Sequence, residues 1–222
     1  MPLIRTVQIN PACRLGVWKI AEDEAFFKEK VNISSAIHHP HKRLQHLAGR
    51  YLLQELFPGF PLSSIQIMQS RKPYLECNSL HFSISHCGDH IAAIVSSQGA
   101  VGIDIEEVKP KIEAVSHKFL SPDEQAFIDP VNSLPHKTVC WSAKEAVYKW
   151  YGLGSVDFRE NMHLTPFIFQ PRGFLICNFN KADKNARLYL QYLIEDGLCL
   201  SWTNESEDIT VTTTAENAAS RL

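Results

Sequence analysis

The sequence has no C-x-x-C pair, although it holds six cysteines, at 13, 77, 87, 140, 177 and 199. That scatter excludes a zinc ribbon and a dense disulfide framework, and it suits a reducing compartment. Long apolar runs are missing as well: nothing approaches the roughly 18 residues that a bilayer span requires. The opening MPLIRTVQIN carries no apolar segment of the secretory kind, so no signal peptide and no membrane association are expected, and the expected location is the cytoplasm. An excess of charge of one sign is also absent. With 22 Lys and Arg against 24 Asp and Glu the net charge is -2, which gives no global footprint for nucleic acid. Any anionic ligand must then be met by a local basic patch.

What is present is ordinary for a soluble globular chain: 45% hydrophobic and 21% charged residues. At 222 residues it can bury one sizeable core or two small halves packed together. PHKRLQHLAGRYLLQELFP, from Pro40 to Pro58, has Leu44, Leu47, Ala48, Tyr51, Leu52 and Leu56 at helical spacing, with Pro40 in the first turn and Pro58-Gly59 as the stop. Arg43, His46 and Arg50 form a basic edge on that helix, which is either a solvated rim or a phosphate-facing surface. LHFSISH and HIAAIVSS read as strands, and Gln98-Gly99 is expected to turn the second into a hairpin with VGIDIEEV (101–108). Ser121, Pro122 and Glu124 make a capping box. A longer helix is expected from Thr138 to Gly152, then three β-rich runs, GFLICNF, ARLYLQYLIE and LCLSWT, the last two joined at Asp196-Gly197. The fold class by pattern is α+β with mostly antiparallel strands. Residues 215–222 have little to pack and are expected to form a flexible tail.

Two stretches ask for chemistry. In VGIDIEEV the apolar residues alternate with Asp104 and Glu106, which places two like charges on one strand face. In WSAKEAVYK, Glu145 and Lys149 lie one turn apart on a helix, with Lys144 beside them. Each has a bland reading, a wet strand face and an exposed ion pair. Together, three carboxylates without a counter-ion would raise one another's pKa. Oxygen ligands of this type suit Mg²⁺, which takes one or two carboxylates and accepts phosphate oxygens as further ligands. A neighbouring Lys then fits as a compact charge for a phosphate.

G-I-D-I-E followed about 36 residues later by W-S-A-K-E-A-V-Y-K resembles the signature of 4′-phosphopantetheinyl transferases of the surfactin-synthetase-activating type. Gly102, Asp104, Trp141, Ser142, Lys144, Glu145, Ala146 and Lys149 all match its pattern, with a gap slightly shorter than usual. Upstream, Arg71-Lys72-Pro73 resembles the family's G-K-P, and Phe82 to Cys87 resembles F-N-x-S-H-S. YGLGSVDF, after the second signature, resembles a short Gly-rich stretch of the family. The resemblance runs from about residue 40 to 158. The departures are Arg71 for Gly, which would alter the turn there, and Ser83 for Asn with Cys87 for Ser, which would lose hydrogen bonds.

The resemblance implies an Mg²⁺-dependent enzyme, with Mn²⁺ as a substitute, that moves the phosphopantetheine arm of coenzyme A onto a serine of an apo carrier protein and releases 3′,5′-ADP. It implies metal ligands Asp104, Glu106 and Glu145, with Glu145 also the general base and Lys149 on the leaving phosphate. Coenzyme A would be met by Arg43 and Arg50 at its 3′-phosphate, by Lys72 and Pro73 at the adenine, and by Ser85, His86, Lys144 and Lys149 at the phosphates. It further implies a monomer of two similar α+β halves related by a pseudo-twofold, 1–101 with the basic ligands and 102–214 with the acidic ones.

Other readings compete. A homologue that binds coenzyme A or its carrier without turnover would keep the fold, but the intact acidic set disfavours it. A phosphodiesterase or nuclease would need a basic track for a polymer. Transition-metal sites from His38, His39, His41 and His46, or from His81, His86 and His90, match no established spacing, and Pro40 interrupts the first.

Overall fold

Alternating exposure along Leu3–Asn10 marks β1, which pairs antiparallel with β2, Cys13–Lys19. The computed structural model describes residues 3–33, 37–76, 79–181 and 184–205; the expected tail at 215–222 lies outside them. After β2 come α1 (Glu24–Val31) and α2 (Pro40–Leu56), then β3 (Ile65–Ile67), β4 (Pro73–Leu75), β5 (His81–Cys87) and β6 (His90–Ser96). The second part holds β7 (Val101–Glu107), α3 (Lys111–Val115), α4 (Pro122–Ala126), α5 (Ser133–Tyr151), β8 (Met162–Leu164), β9 (Arg172–Lys181), β10 (Lys184–Glu195) and β11 (Leu198–Asn204).

The helices form where the sequence signals them. α2 begins at Pro40 and buries Leu47, Ala48, Leu52 and Leu53 completely, each large side chain contributing about 1.5–3 kcal/mol. α4 opens on the capping box of Ser121 and Glu124. α5 starts five residues before the expected Thr138, because Pro135 sits harmlessly in its first turn where no intrahelical donor is needed. It stops at Gly152, whose φ of 76° is the left-handed cap that favours glycine.

The strands form two main sheets, ordered β1-β2-β6-β5 and β7-β11-β10-β9-β8, with β3-β4 a separate two-stranded ribbon. One core lies between α2 and the first sheet, from Phe27, Leu52, Phe82 and Ile91 among others. A second lies between α5 and the second sheet, from Val139, Val147, Leu190 and Tyr192 among others. A third joins the two sheets face to face, with Leu15, Val17, Ala92 and Ile94 on one side and Ile103, Ile105, Leu200 and Trp202 on the other. The result is four layers, helix, sheet, sheet, helix, in a mixed α/β fold.

The expected hairpin between HIAAIVSS and VGIDIEEV does not form. β6 is already flanked by β2 and β5, so it has no free edge, and β7 pairs with β11 in the other sheet. β5 and β7 are instead edge strands of different sheets that meet through side chains. Ile103 N donates to Ser83 Oγ at 3.3 Å and Glu107 N donates to Cys87 Sγ at 3.3 Å. These two residues were expected to lose hydrogen bonds relative to the family pattern; here they supply bonds to the free backbone edge of β7.

Candidate active site

β7 has no wet face. Its apolar residues meet the first sheet, and its other face meets α5, so Asp104 is only 2% exposed. Gly102 makes this approach possible: a Cβ there would lie 1.9 Å from Ala146 O on α5. Removing the side chain lets helix and strand backbones touch, and that brings Lys149 onto Asp104. Lys149 Nζ donates to Asp104 Oδ1 at 2.7 Å and to Ser85 Oγ at 2.7 Å, and Ser85 Oγ itself donates to Asp104 Oδ1 at 2.8 Å. Asp104 Oδ2 is buried and has no partner among the described residues.

Glu106, two residues along the same strand face, accepts from Trp141 Nε1 at 2.9 Å, and Cys87 Sγ stands 3.9 Å from its other oxygen. Trp141 was read only as a motif match; its place one helical turn before Glu145 is the signal that it orients an acid. Burial, and then the charge of Asp104, raises the Glu106 carboxyl above its ordinary range. The same two causes push Glu145 up to about 7, with Lys149 opposing them. Glu145 accepts no hydrogen bond among the described residues, and Lys149, which a helix-surface reading would pair with it, turns to Asp104 instead. His86 has its pKa lowered by partial burial and then by the Lys149 charge.

A cleft of about 230 Å³ opens beside this cluster, lined by Ser70, Arg71, Lys72 and Pro73 from the first part and by Tyr148, Lys149 and Gly152 from α5 and its cap. Lys72 Nζ donates to Trp150 O at 3.1 Å and Ser70 Oγ to Gly152 O at 2.5 Å, so the β3–β4 turn caps the last turn of α5. Burial pushes Lys72 down to about 8.

Other expected ligand residues stand elsewhere. Lys144 does not face the cleft. It is fully buried on the opposite side of α5, donating to Phe119 O, Phe158 O and Glu124 Oε2 at 2.7–2.8 Å. The expected contact with coenzyme A is therefore replaced by a structural one, because all three of its donors are used. Arg43 is held by Glu24 at 2.9 Å and by the carbonyls of Ile37 and His38. Arg50 is 7% exposed and, among the described residues, has no ion-pair partner; burial lowers its pKa to about 10. Glu124, which sequence reasoning read only as a cap, also accepts from Leu164 N at 2.8 Å. No helix among the described residues is long and apolar enough to cross a membrane.

As placed, no three His, Cys, Asp or Glu side chains among the described residues stand close enough to hold a metal ion. The donor chemistry nonetheless fits a hard cation. An unpartnered buried oxygen on Asp104 stands in mutual electrostatic contact with Glu106 and Glu145, and all the donors are oxygens.

Comparison with known proteins bears on this cluster directly. The model of the 4′-phosphopantetheinyl transferase superfamily matches residues 100–212, the span from β7 through β11 that carries Asp104, Glu106, Glu145 and Lys149. The chain belongs to that superfamily. A putative 4′-phosphopantetheinyl transferase of Haemophilus influenzae is 33% identical over 132 residues, 56% of this chain and 56% of that protein. A 4′-phosphopantetheinyl transferase of Bacillus subtilis is 34% identical over 132 residues, 54% of this chain and 58% of its own length. The AcpT transferase of Escherichia coli K12 is 34% identical over 117 residues, 50% and 59% respectively. The chain thus spans little more than half the length of the curated superfamily members it matches. The resemblance read from the two signature stretches is borne out.

Proposed function

We propose that this chain transfers the 4′-phosphopantetheine arm of coenzyme A to a serine of an apo acyl, peptidyl or related carrier protein, releasing 3′,5′-ADP, in the manner of the surfactin-synthetase-activating type. The observation that carries this reading is the buried Asp104, held by Lys149 and Ser85 and left with one free oxygen, beside Glu106 and Glu145 at a cation-lined cleft. Names of the relatives support the same activity.

Asp104, Glu106 and Glu145 would hold Mg²⁺, or Mn²⁺ in its place. Bound there, the ion would neutralise charge on the pyrophosphate. The chain's own residues do the rest. The reaction forms a bond from the carrier serine oxygen to the phosphorus of the arm and breaks the bond from that phosphorus to the departing 3′,5′-ADP oxygen. Glu145, which accepts no hydrogen bond among the described residues and so keeps its oxygens open, takes the serine proton. Lys149 spends two of its three N–H donors on Ser85 and Asp104, which leaves the third for a phosphate oxygen. His86 and Ser85 border the phosphates, Lys72 and Pro73 the adenine, and Arg50 offers a buried charge for the 3′-phosphate. Arg43 could join only by leaving Glu24.

The same reading includes two halves, 1–101 and 102–214, related by a pseudo-twofold. Supporting it, the last strand of each half pairs with the strand that precedes its main helix: β6 with β2, and β11 with β7. A monomer in the cytoplasm completes the reading; the free thiols of Cys13, Cys87, Cys140, Cys177 and Cys199 support the reducing compartment. The test is to incubate the protein with coenzyme A, Mg²⁺ and a panel of apo carrier proteins and to weigh each carrier. Gain of one phosphopantetheine is expected. Coenzyme A binding without gain on any carrier would favour the non-catalytic homologue, and cleavage of DNA by the same carboxylates would favour the nuclease.

A further inference from the structure

Among the described residues three cations line the cleft, Arg71, Lys72 and Lys149, and none of the described lining residues is Asp or Glu. Two of the three are committed. Lys72 donates to the last turn of α5, and Lys149 is engaged by Asp104 and Ser85. Arg71 is exposed, and among the described residues its guanidinium makes no hydrogen bond or ion pair. Its backbone is also out of the ordinary. With φ at 68° it occupies the left-handed region that favours glycine, closing a turn in which Arg71 N donates to Met68 O at 2.9 Å and Met68 N to Lys72 O at 2.9 Å. A long, β-carbon-bearing residue in a conformation suited to glycine, facing a cleft that no described carboxylate lines, is a strained position whose side chain has no structural partner among the described residues. Strain of this kind gathers where a side chain serves a ligand.

We propose that Arg71 is a specificity-determining residue whose guanidinium binds a phosphate group of the nucleotide, adding a planar, permanently charged contact to the cleft wall. Its place in the turn that caps α5 holds it on the same rigid ribbon as Ser70 and Lys72, so it meets the ligand at fixed distance from Lys149. Two phosphate sources lie in reach of this chemistry, the 3′-phosphate on the ribose and the pyrophosphate. The inference rests on the proposed function, since it takes coenzyme A as the ligand.

Calorimetric titration of coenzyme A and of dephospho-coenzyme A into the full chain and into Arg71→Gln and Arg71→Gly tests it without any transfer assay. Arg71→Gln keeps a β-carbon and a polar side chain in the turn but shortens it and removes the charge; it is expected to weaken coenzyme A binding about tenfold, the scale of one charge-assisted contact to phosphate. A loss confined to coenzyme A assigns the 3′-phosphate, and an equal loss for both ligands assigns the pyrophosphate. Arg71→Gly is expected to bind as poorly while unfolding at an equal or higher temperature, because glycine relieves the turn. Unchanged affinity of Arg71→Gln for both ligands overturns the role of Arg71 and leaves the transferase reading standing. Failure of the unaltered chain to bind coenzyme A overturns both.

Discussion

Gly102→Ala puts the largest local demand on the smallest change. The added Cβ would lie 1.9 Å from Ala146 O and 2.9 Å from both Ala146 C and Trp150 N. All three are backbone atoms of α5, so no side chain can rotate away, and the helix must retreat from β7 by about 1 Å to restore normal contact. Overpacking of this kind costs about 1–3 kcal/mol, and the rigidity of a helix in contact along its length argues for the upper end, about 3 kcal/mol. For a chain of this size that lowers Tm by about 6–12 °C. The same retreat carries Lys149 away from Asp104, now 2.7 Å apart, and a misplacement of about 1 Å can reduce turnover about 100-fold. Thermal unfolding and a carrier-mass assay on the same preparation read both effects. A Gly102→Ala variant with the parent's Tm and rate would refute the claim that strand–helix contact at Gly102 sets the site.

Lys144→Met leaves Glu124 as a buried charge with its remaining partners on Ser121 N and Leu164 N, and a cost of about 3–5 kcal/mol is expected in chemical denaturation; a loss under about 1 kcal/mol would mean that the pair is not the hub described. Lys149→Met strands Asp104 in the same way, so adding Asp104→Asn to it should recover part of the lost stability in a double-mutant cycle, whereas additive losses would deny their coupling. The raised Glu145 carboxyl favours the native state below its unfolded value of 4.5, and this contribution disappears as pH rises through about 7. In chelator-treated protein, Glu145→Gln should therefore gain Tm over the parent at pH 8 and gain nothing at pH 4; an equal gain at both would place the effect in packing rather than charge. Cys87→Ser keeps an acceptor for Glu107 N and should leave Tm nearly unchanged, and a large loss would show that sulfur size matters more than the bond.

Local signals were readable where one short stretch sufficed. Pro40, the Ser121–Glu124 box, Gly152 and Asp196-Gly197 each fix an element end by its own dihedral or hydrogen-bond needs, and the structure has all four. The pairing of β7 was not readable, because apolar adjacency suggests a hairpin with β6 while the edge available to β6 depends on β2, some 80 residues away. For the same reason VGIDIEEV looked half wet: alternation reports two different faces, and here the second face meets α5 rather than solvent. Lys144 and Lys149 are five residues apart on one helix, yet one is sealed among carbonyls and the other opens to the cleft. Helical rotation separates them, but which of the two faces the cleft depends on the loops at Phe119 and Phe158. That the three acids and Lys149 would come together was legible, because residue type in two spaced motifs marks them as candidates.

The most direct test weighs an apo carrier protein after incubation with coenzyme A, Mg²⁺ and either the parent chain or Glu145→Gln, at concentrations where both are shown to bind coenzyme A. The account predicts a mass gain of one phosphopantetheine with the parent and little or none with the variant. Equal gain with both would contradict the role given to Glu145, and no gain with the parent on any carrier would contradict the transferase itself.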